Sequence, residues 1–299
     1  MAAEDLLKRL QNNRTLGASQ LLRWGLRAAR EMVKELYPLP ENQRYIRFRA
    51  FTLELASARP SMAPLLRLAN DLNFLWDEAE NLRDLEHRLS DLAGFLEQER
   101  NRVIASAAEL FAGVQRVLVH SWSSSVVAAL LRIRPHRVFC TESFPGLEGR
   151  KTARKLLSQR IPVTLVSDPA MVEVLPEVQL VLVGADAFTA RGFYNKVGTH
   201  LLALAARARR VPLWVISETY KGLPPALESL YQPEEAPLRV PPSLQEVPWV
   251  HPLLDFTPWK RVKGLVAEGG VLGPQGIQQL LESLQVHPIL QAYREVYAE

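Results

Sequence analysis

One carboxylate stands out by its position. Asp186 comes just after an apolar run, residues 180–183, that reads as a buried strand and breaks at Gly184. A glycine-bearing loop follows, then Asn195-Lys196 and Gly198-Thr199, then an apolar stretch of helical character over 201–208. An acid at a strand tip can move a proton or hold a hydroxyl. A basic, glycine-containing helix entry suits a phosphate, because the first N–H groups of a helix lack partners and its dipole is positive there. A tight strand-to-helix turn capped by Asp186 accounts for the same spacing.

Further candidates lie at the ends of other apolar runs. These runs finish in His120-Ser121, Glu142, Asp168, Asp186 and Ser217-Glu218. In open α/β sheets, ligands bind outside the carboxyl ends of the strands, so polar tips in register make a polar crevice. Ser121, Ser123, Ser124 and Ser125 offer hydroxyls and N–H groups at a helix start, or simply cap that helix. Glu148-Gly149-Arg150-Lys151 puts a glycine and two cations at another helix start. Lys221, just past the last run, is a third possible phosphate contact or a surface lysine.

The elements that must position these groups follow from periodicity. Short apolar runs at 117–120, 137–141, 162–166, 179–183 and 212–216 are continuous rather than alternating, and helical stretches separate them. That pattern predicts a parallel sheet covered on both faces. The first third reads differently. Apolar residues recur at helical spacing over 6–10, 21–36, 47–56, 62–72 and 77–111, with breaks at 15–19, at Pro38 and Pro40, and at Arg59-Pro60-Ser61. The long charged stretch 77–111 reads as one or two helices with a solvated face. The expected class is therefore α/β: a helical N-terminal domain over 1–112, followed by a Rossmann-like parallel-sheet C-terminal domain over 113–299. Eight of the 21 prolines fall between Gly222 and Pro252, which excludes a regular helix there and predicts a lid, interface arm or linker. Asp255-Phe256-Thr257-Pro258 and a short element to Val266 follow, and a helical stretch over 275–296 breaks before Pro288.

Composition narrows the functional classes. The chain has 299 residues, 47% hydrophobic and 23% charged, an ordinary globular balance. A net charge of +4 with scattered arginines does not point to nucleic acid. The single cysteine, Cys140, excludes an internal disulfide, fits a reducing cytoplasm and reads as a buried core thiol. No apolar run approaches membrane-span length, and the N-terminus does not read as a signal peptide.

Several of these motifs together resemble a known family. His120-Ser121-x-Ser123-Ser124, Thr141-Glu142-Ser143-Phe144-Pro145-x-Leu147-Glu148-Gly149, Gly184-Ala185-Asp186 and Asn195-Lys196-Val197-Gly198-Thr199 are similar to the family of the translation initiation factor 2B alpha, beta and delta subunits. That family also holds methylthioribose-1-phosphate isomerase and ribose-1,5-bisphosphate isomerase. Ser217-Glu218-Thr219-Tyr220-Lys221, Asp255-Phe256-Thr257-Pro258, Gly17-Ala18 and Arg59-Pro60 fit as well, so the resemblance covers nearly the whole chain.

The resemblance implies a dimer or larger homo-oligomer and a phosphorylated sugar or nucleoside monophosphate as ligand; no cofactor or metal is expected. It implies a binding site formed by Gly17, Ala18, Arg59, Ser123, Ser124, Glu142, Gly149, Arg150, Asn195, Lys196 and Lys221. In the family's isomerases an aspartate and a cysteine form the catalytic pair that converts an aldose 1-phosphate to a ketose. The aspartate matches Asp186, but Ser121 stands where the cysteine belongs, and Phe144 stands where those enzymes tend to carry an arginine. A thiol can trade a proton near neutrality, whereas a serine hydroxyl needs a base to activate it. His120 is poorly placed for that, because neighbours on a strand point to opposite faces. The expected function is ligand binding with catalysis weak or lost. The alternative is an aldose–ketose isomerase using Asp186 with Ser121 in place of the cysteine.

Overall fold

The structure is a computed structural model that describes residues 2–13, 16–235, 243 and 246–297. The expected break at Thr15 and much of the proline-rich arm, including Pro237, Leu238, Val240, Pro241 and Pro242, lie outside the described residues.

Five helices come first: α1 (Ala3–Asn12), α2 (Ala18–Leu36), α3 (Glu41–Ala58), α4 (Ala63–Glu78) and α5 (Leu82–Leu110). Their limits have local causes. Pro40 precedes α3, and Pro64 sits in the first turn of α4, where its missing N–H costs nothing. The Asn81 side chain accepts from the N–H groups of Arg83 and Asp84, which starts α5. The stretch expected as one or two helices is the single helix α5.

Strands and helices then alternate: β1 (Arg116–Val119), α6 (Ser124–Ile133), β2 (Arg137–Thr141), α7 (Glu148–Leu157), β3 (Val163–Val166), α8 (Met171–Val174) and β4 (Leu180–Val183). After these come β5 (Ala187–Phe188), β6 (Gly192–Lys196), α9 (Thr199–Ala208), β7 (Leu213–Ile216) and α10 (Pro225–Glu228). The described chain closes with β8 (Leu254–Pro258), β9 (Gly264–Ala267), β10 (Gly270–Leu272), α11 (Pro274–Glu282) and α12 (Pro288–Tyr297).

Seven strands form one sheet in the order β3-β2-β1-β4-β7-β9-β10. All neighbours are parallel except the edge pair β9–β10. The chain builds outward from β1 on one side, then crosses over and builds outward from β4 on the other. A crevice therefore opens where β1 and β4 lie side by side, in register from Val117↔Leu180 to Val119↔Leu182. Both faces of the sheet are covered, as the continuous apolar runs require. Val117 and Val119 pack into a cluster with Leu130 of α6 and Val103 of α5. Leu118 packs into the opposite cluster with Leu202 of α9 and Ile277 of α11.

Two features depart from the sequence pattern. Residues 192–196, expected as a loop, form β6, the centre of a three-stranded antiparallel sheet β5-β6-β8. Its partner β8 lies some sixty residues on, with Asn195 opposite Asp255 and Lys196 opposite Leu254, so no local signal announces it. The helical core also draws on the far end of the chain: Leu223, Leu227, Tyr231 and Leu290 join the cluster built on α1–α5. Helix α5 serves both cores, with Leu85 and Leu89 in the helical cluster and Val103 and Ala107, together with Phe111 just past its end, against the sheet. Among the described residues no helix is long and apolar enough to cross a membrane.

Candidate functional site

The tips of β1 and β4 meet with little room to spare. Ser121, after β1, holds a left-handed backbone with φ of 69°, uncommon for a residue with a side chain and frequent at functional sites. Its N–H donates to Ser143 Oγ at 2.8 Å, and its carbonyl accepts from Thr152 Oγ1 at 2.9 Å. These bonds pin the backbone and leave the hydroxyl without a partner among the described residues. Gly184, after β4, is required by packing: a Cβ there would come within 2.7 Å of the Cβ and Oγ of Ser123. Ser123 in turn caps α6 by accepting from the Val126 N–H at 3.3 Å.

Next to Ser121, His120 is buried and fully committed. Its Nδ1 accepts from Thr141 Oγ1 at 2.7 Å, and its Nε2–H donates to the carbonyl of Val197 at 2.9 Å. Burial lowers its pKa, which keeps the ring neutral. It is a structural tie between β1, β2 and the loop before α9, and not a base for Ser121.

Asp186 is placed by its own N–H, which donates to the carbonyl of Tyr194 on β6 at 2.9 Å. Burial pushes its carboxyl pKa up, with Glu148 acting in the same sense, while Lys221, Lys196 and Arg59 oppose the shift. Each of these cations already has an anionic partner. Lys196 Nζ lies 3.0 Å from Glu148, Lys221 Nζ 3.1 Å from Glu218, and Arg59 Nη2 2.5 Å from Glu234. Arg59 also donates to the carbonyl of Asn13, and Ser125 Oγ donates to Glu218 at 2.5 Å. Asp186 thus sits among alternating charges in a polar, partly dry setting, where Coulombic terms are stronger than in water.

The helix start expected to hold a phosphate is already occupied. At α9, the N–H groups of Gly198 and His200 donate to the Asp255 carboxylate at 2.7 and 3.1–3.2 Å. Asp255 comes from β8, whose pairing with β6 was not visible locally, and it supplies the negative charge that the helix start attracts. Two other helix starts remain open. The first turns of α2 (Gly17, Ala18, Ser19, Gln20) and of α6 (Ser123, Ser124) line one lobe together with Gly184, Asp186, Asn195 and Lys221, around some 330 Å³ of open space. The N–H groups of Ala18, Ser19, Ser124 and Ser125 have no acceptor among the described residues. A second lobe, around some 540 Å³ of open space, adjoins it through Gly17, Trp122 and Asp186, and adds Arg59, Ser121, Glu148 and Lys196.

Of the residues expected at the site, Gly17, Ala18, Arg59, Ser121, Ser123, Ser124, Asp186, Asn195, Lys196 and Lys221 line these two lobes. Asn195 also braces the start of α9, donating from Nδ2 to Thr199 Oγ1 at 2.9 Å. Glu142, Gly149 and Arg150 do not line them. Glu142 and Arg150 form an ion pair at 2.5 Å on the surface. At Gly149 a Cβ would lie 1.7 Å from the carbonyl oxygen of Thr141, so this glycine seats α7 on β2. Phe144 is exposed, and Cys140 is buried with its thiol pushed up to about 12.

Sequence reasoning missed Trp122, Met62 and the inward turn of Glu148. The motif containing Glu148 was recognised, but only the rotation of α7 decides which of its neighbouring residues faces the cleft. Tyr231 was missed as well. Its hydroxyl is buried with no hydrogen-bond partner among the described residues, and burial first, then Asp186, raises its pKa.

The sequence pattern of the Initiation factor 2 subunit family matches residues 9–274. A translation initiation factor eIF-2B subunit 2-like protein of Pyrococcus horikoshii is 31% identical over 283 residues, covering 92% of this chain and 98% of that protein. A ribose 1,5-bisphosphate isomerase of Methanocaldococcus jannaschii is 29% identical over 297 residues, covering 94% and 96%. Among solved structures, the Pyrococcus horikoshii OT3 translation initiation factor eIF-2B superposes with a TM-score of 0.80 at 28% identity, covering 91% of this chain and 97% of that one.

Proposed function

The chain belongs to the Initiation factor 2 subunit family, and from that premise we propose that it binds a small phosphorylated sugar or nucleoside monophosphate at the β1–β4 crevice. The observation that carries the proposal is the convergence of two open helix starts, α2 and α6, on one lobe beside Asp186, Asn195 and Lys221. Unpaired N–H groups at the positive ends of two dipoles form an anion site that needs no free cation. That matters here, because Arg59, Lys196 and Lys221 are already paired with carboxylates. The phosphate rests on the helix starts, and Asp186, Asn195 and Lys196 meet the hydroxyls of the sugar. With Ser121 in place of a thiol, binding is the principal activity and turnover is weak or lost.

One observation favours a second reading, an aldose–ketose isomerase. Ser121 and Asp186 line the same lobe, and the carboxyl pKa of Asp186 is raised towards the range useful in proton transfer. In that reaction Asp186 moves the proton between the first two sugar carbons while Ser121 hydrogen-bonds an oxygen. Thermal shift with ribose 1,5-bisphosphate, methylthioribose 1-phosphate and AMP tests both readings, since a specific ligand raises the melting temperature. Failure of all three to stabilise the protein rejects both. Ketose product that disappears in Asp186→Asn establishes the isomerase. No product from the wild type but product from Ser121→Cys establishes a binding protein whose pocket is intact. As a homo-oligomer, the form we propose for it, the chain sediments above its monomer mass of 33.7 kDa.

A further inference from the structure

Behind Lys221 lies a separate cavity, around about 610 Å³ of space that includes its opening to solvent, between α2, α4 and α5 on one side and the turns at Thr219 and Glu268 on the other. Leu22, Leu26, Pro64 and Leu96 give it apolar walls. Three polar atoms of its lining residues are buried without a hydrogen-bond partner among the described residues: Oε2 of Glu268, the Nε–H of Arg100, and Oε2 of Glu218, of which only the last has an ion-pair partner, Lys221. The other oxygen of Glu268 accepts from the Thr219 N–H at 2.7 Å, which fixes the carboxyl group in place. Buried polar atoms are ordinarily satisfied, and an orphan in a cavity wall marks a place where a donor or acceptor is missing. Apolar walls around one or two fixed polar groups are the composition of a small-molecule site.

The cavity also touches the proposed binding cleft. Ser19 and Lys221 line both. On the cavity side Lys221 pairs with Glu218 at 3.1 Å. On the cleft side it is the foremost of the cations acting on Asp186. One buried ammonium group therefore stands between a carboxylate of the cavity and the carboxylate of the cleft.

We infer that this cavity is a second binding site, for a small uncharged molecule with an apolar body and one hydrogen-bond-donating edge that anchors on Glu268, and that its occupancy reaches Asp186 through Lys221. The site is distinct from the β1–β4 cleft, so it binds its ligand whether or not the cleft takes a phosphorylated sugar. A charged molecule is disfavoured: Glu97, Glu99, Glu218 and Glu268 face Arg23, Arg100 and Lys221 around the lining, leaving no strong excess of either sign.

The test uses indole, which carries an N–H donor on an apolar ring, and benzofuran, the same shape without the donor, at pH 8. The expected result is binding of indole at least about tenfold tighter than benzofuran, since a fixed acceptor left unpaired penalises the analogue lacking the donor. Ala93→Trp, which puts a ring into the cavity from α5, is expected to abolish it. Should that variant not fold, nuclear Overhauser contacts between indole and the methyl groups of Leu22 and Leu26 decide in its place. No indole binding, equal binding of the two probes, binding that survives Ala93→Trp, or absence of those contacts overturns the site. The link is read from the carboxyl carbon shift of Asp186 during a pH titration, which requires no ligand in the cleft. Saturating indole is expected to move the midpoint by about half a pH unit, a threefold change in the equilibrium. An unmoved midpoint overturns the link.

Discussion

Asp186 and Glu268 are both carboxyls whose protonation is set by burial rather than by a single partner. For Glu268 the outcome is explicit: burial raises the pKa from 4.5 to about 7, aided by Glu99 and Glu218 and opposed by backbone hydrogen bonds. The folded state then holds a proton that the unfolded chain has already released. Below pH 4.5 both states are protonated and nothing is lost. As pH rises through 4.5 towards 7, stability falls, by roughly 2–3 kcal/mol for this one group. Glu268→Gln keeps an acceptor for Thr219 and removes the titration. Urea unfolding at pH 5 and pH 8 is expected to show a drop in the wild type that is smaller in the variant by that amount; equal drops would remove the assignment. Asp186 differs in that three cations oppose its burial, so charge removal at Lys221 is the informative change. Lys221→Met is expected to raise the Asp186 midpoint in a carboxyl-shift titration. A lowered midpoint would show that Glu218, freed of its partner, has reoriented the site.

Elements meet here through backbone contacts that leave no room for a side chain. Helix α7 is seated on β2 by Gly149, whose missing Cβ would fall 1.7 Å from the Thr141 carbonyl oxygen. Gly149→Ala is expected to lower stability by about 3 kcal/mol, the upper end for forced overpacking, read as a shift in the urea midpoint. Arg150→Met next to it breaks only a half-exposed ion pair and should cost less than about 1 kcal/mol. If the two variants unfold alike, packing is not the role of Gly149. The start of α9 shows a related lesson. Its glycine and basic residues read as an anion site, yet the anion it holds is Asp255 of its own chain. The open starts belong to α2 and α6, whose first residues carry no comparable charge signal. Recognising Gly17, Ala18, Ser123 and Ser124 as motif members located them, but it did not say that they face each other across one lobe.

At the scale of the molecule, the helical layer and the sheet are stitched together by the chain's last described turns. The His287 N–H donates to Asn70 Oδ1 at 2.8 Å, and its Nε2 lies 2.7 Å from Asp77, both on α4. Leu290 of α12 is fully buried in the helical core. Helix α5 enters the cores on both sides. A change at the C-terminal end should therefore weaken the first third of the chain as well. Leu290→Ala is expected to cost about 2–5 kcal/mol, and the far-ultraviolet and tryptophan signals should still melt in one transition. Two separated transitions would show that the halves are thermodynamically independent.

The sequence by itself determined what depends on local pattern. Continuous apolar runs gave a buried parallel sheet, and three-and-four spacing gave the helices of the first third. Spacing placed Asp186 and Ser121 at strand tips, with Asn195, Lys196 and Lys221 as their company, and the family resemblance added Arg59. These features are legible because periodicity and turn chemistry act over a few residues. Only the tertiary structure decided what depends on partners distant in sequence. It paired β6 with β8, sent Asp255 to the start of α9, and drew α2 and α6 to one lobe. It turned Glu148 inward beside Lys196 while leaving Glu142 and Arg150 to each other on the surface. The physical reason is the same each time: which helix face points in, and which carboxylate meets which cation, is settled by packing across the β1–β4 switch point, and no neighbouring residue carries that information.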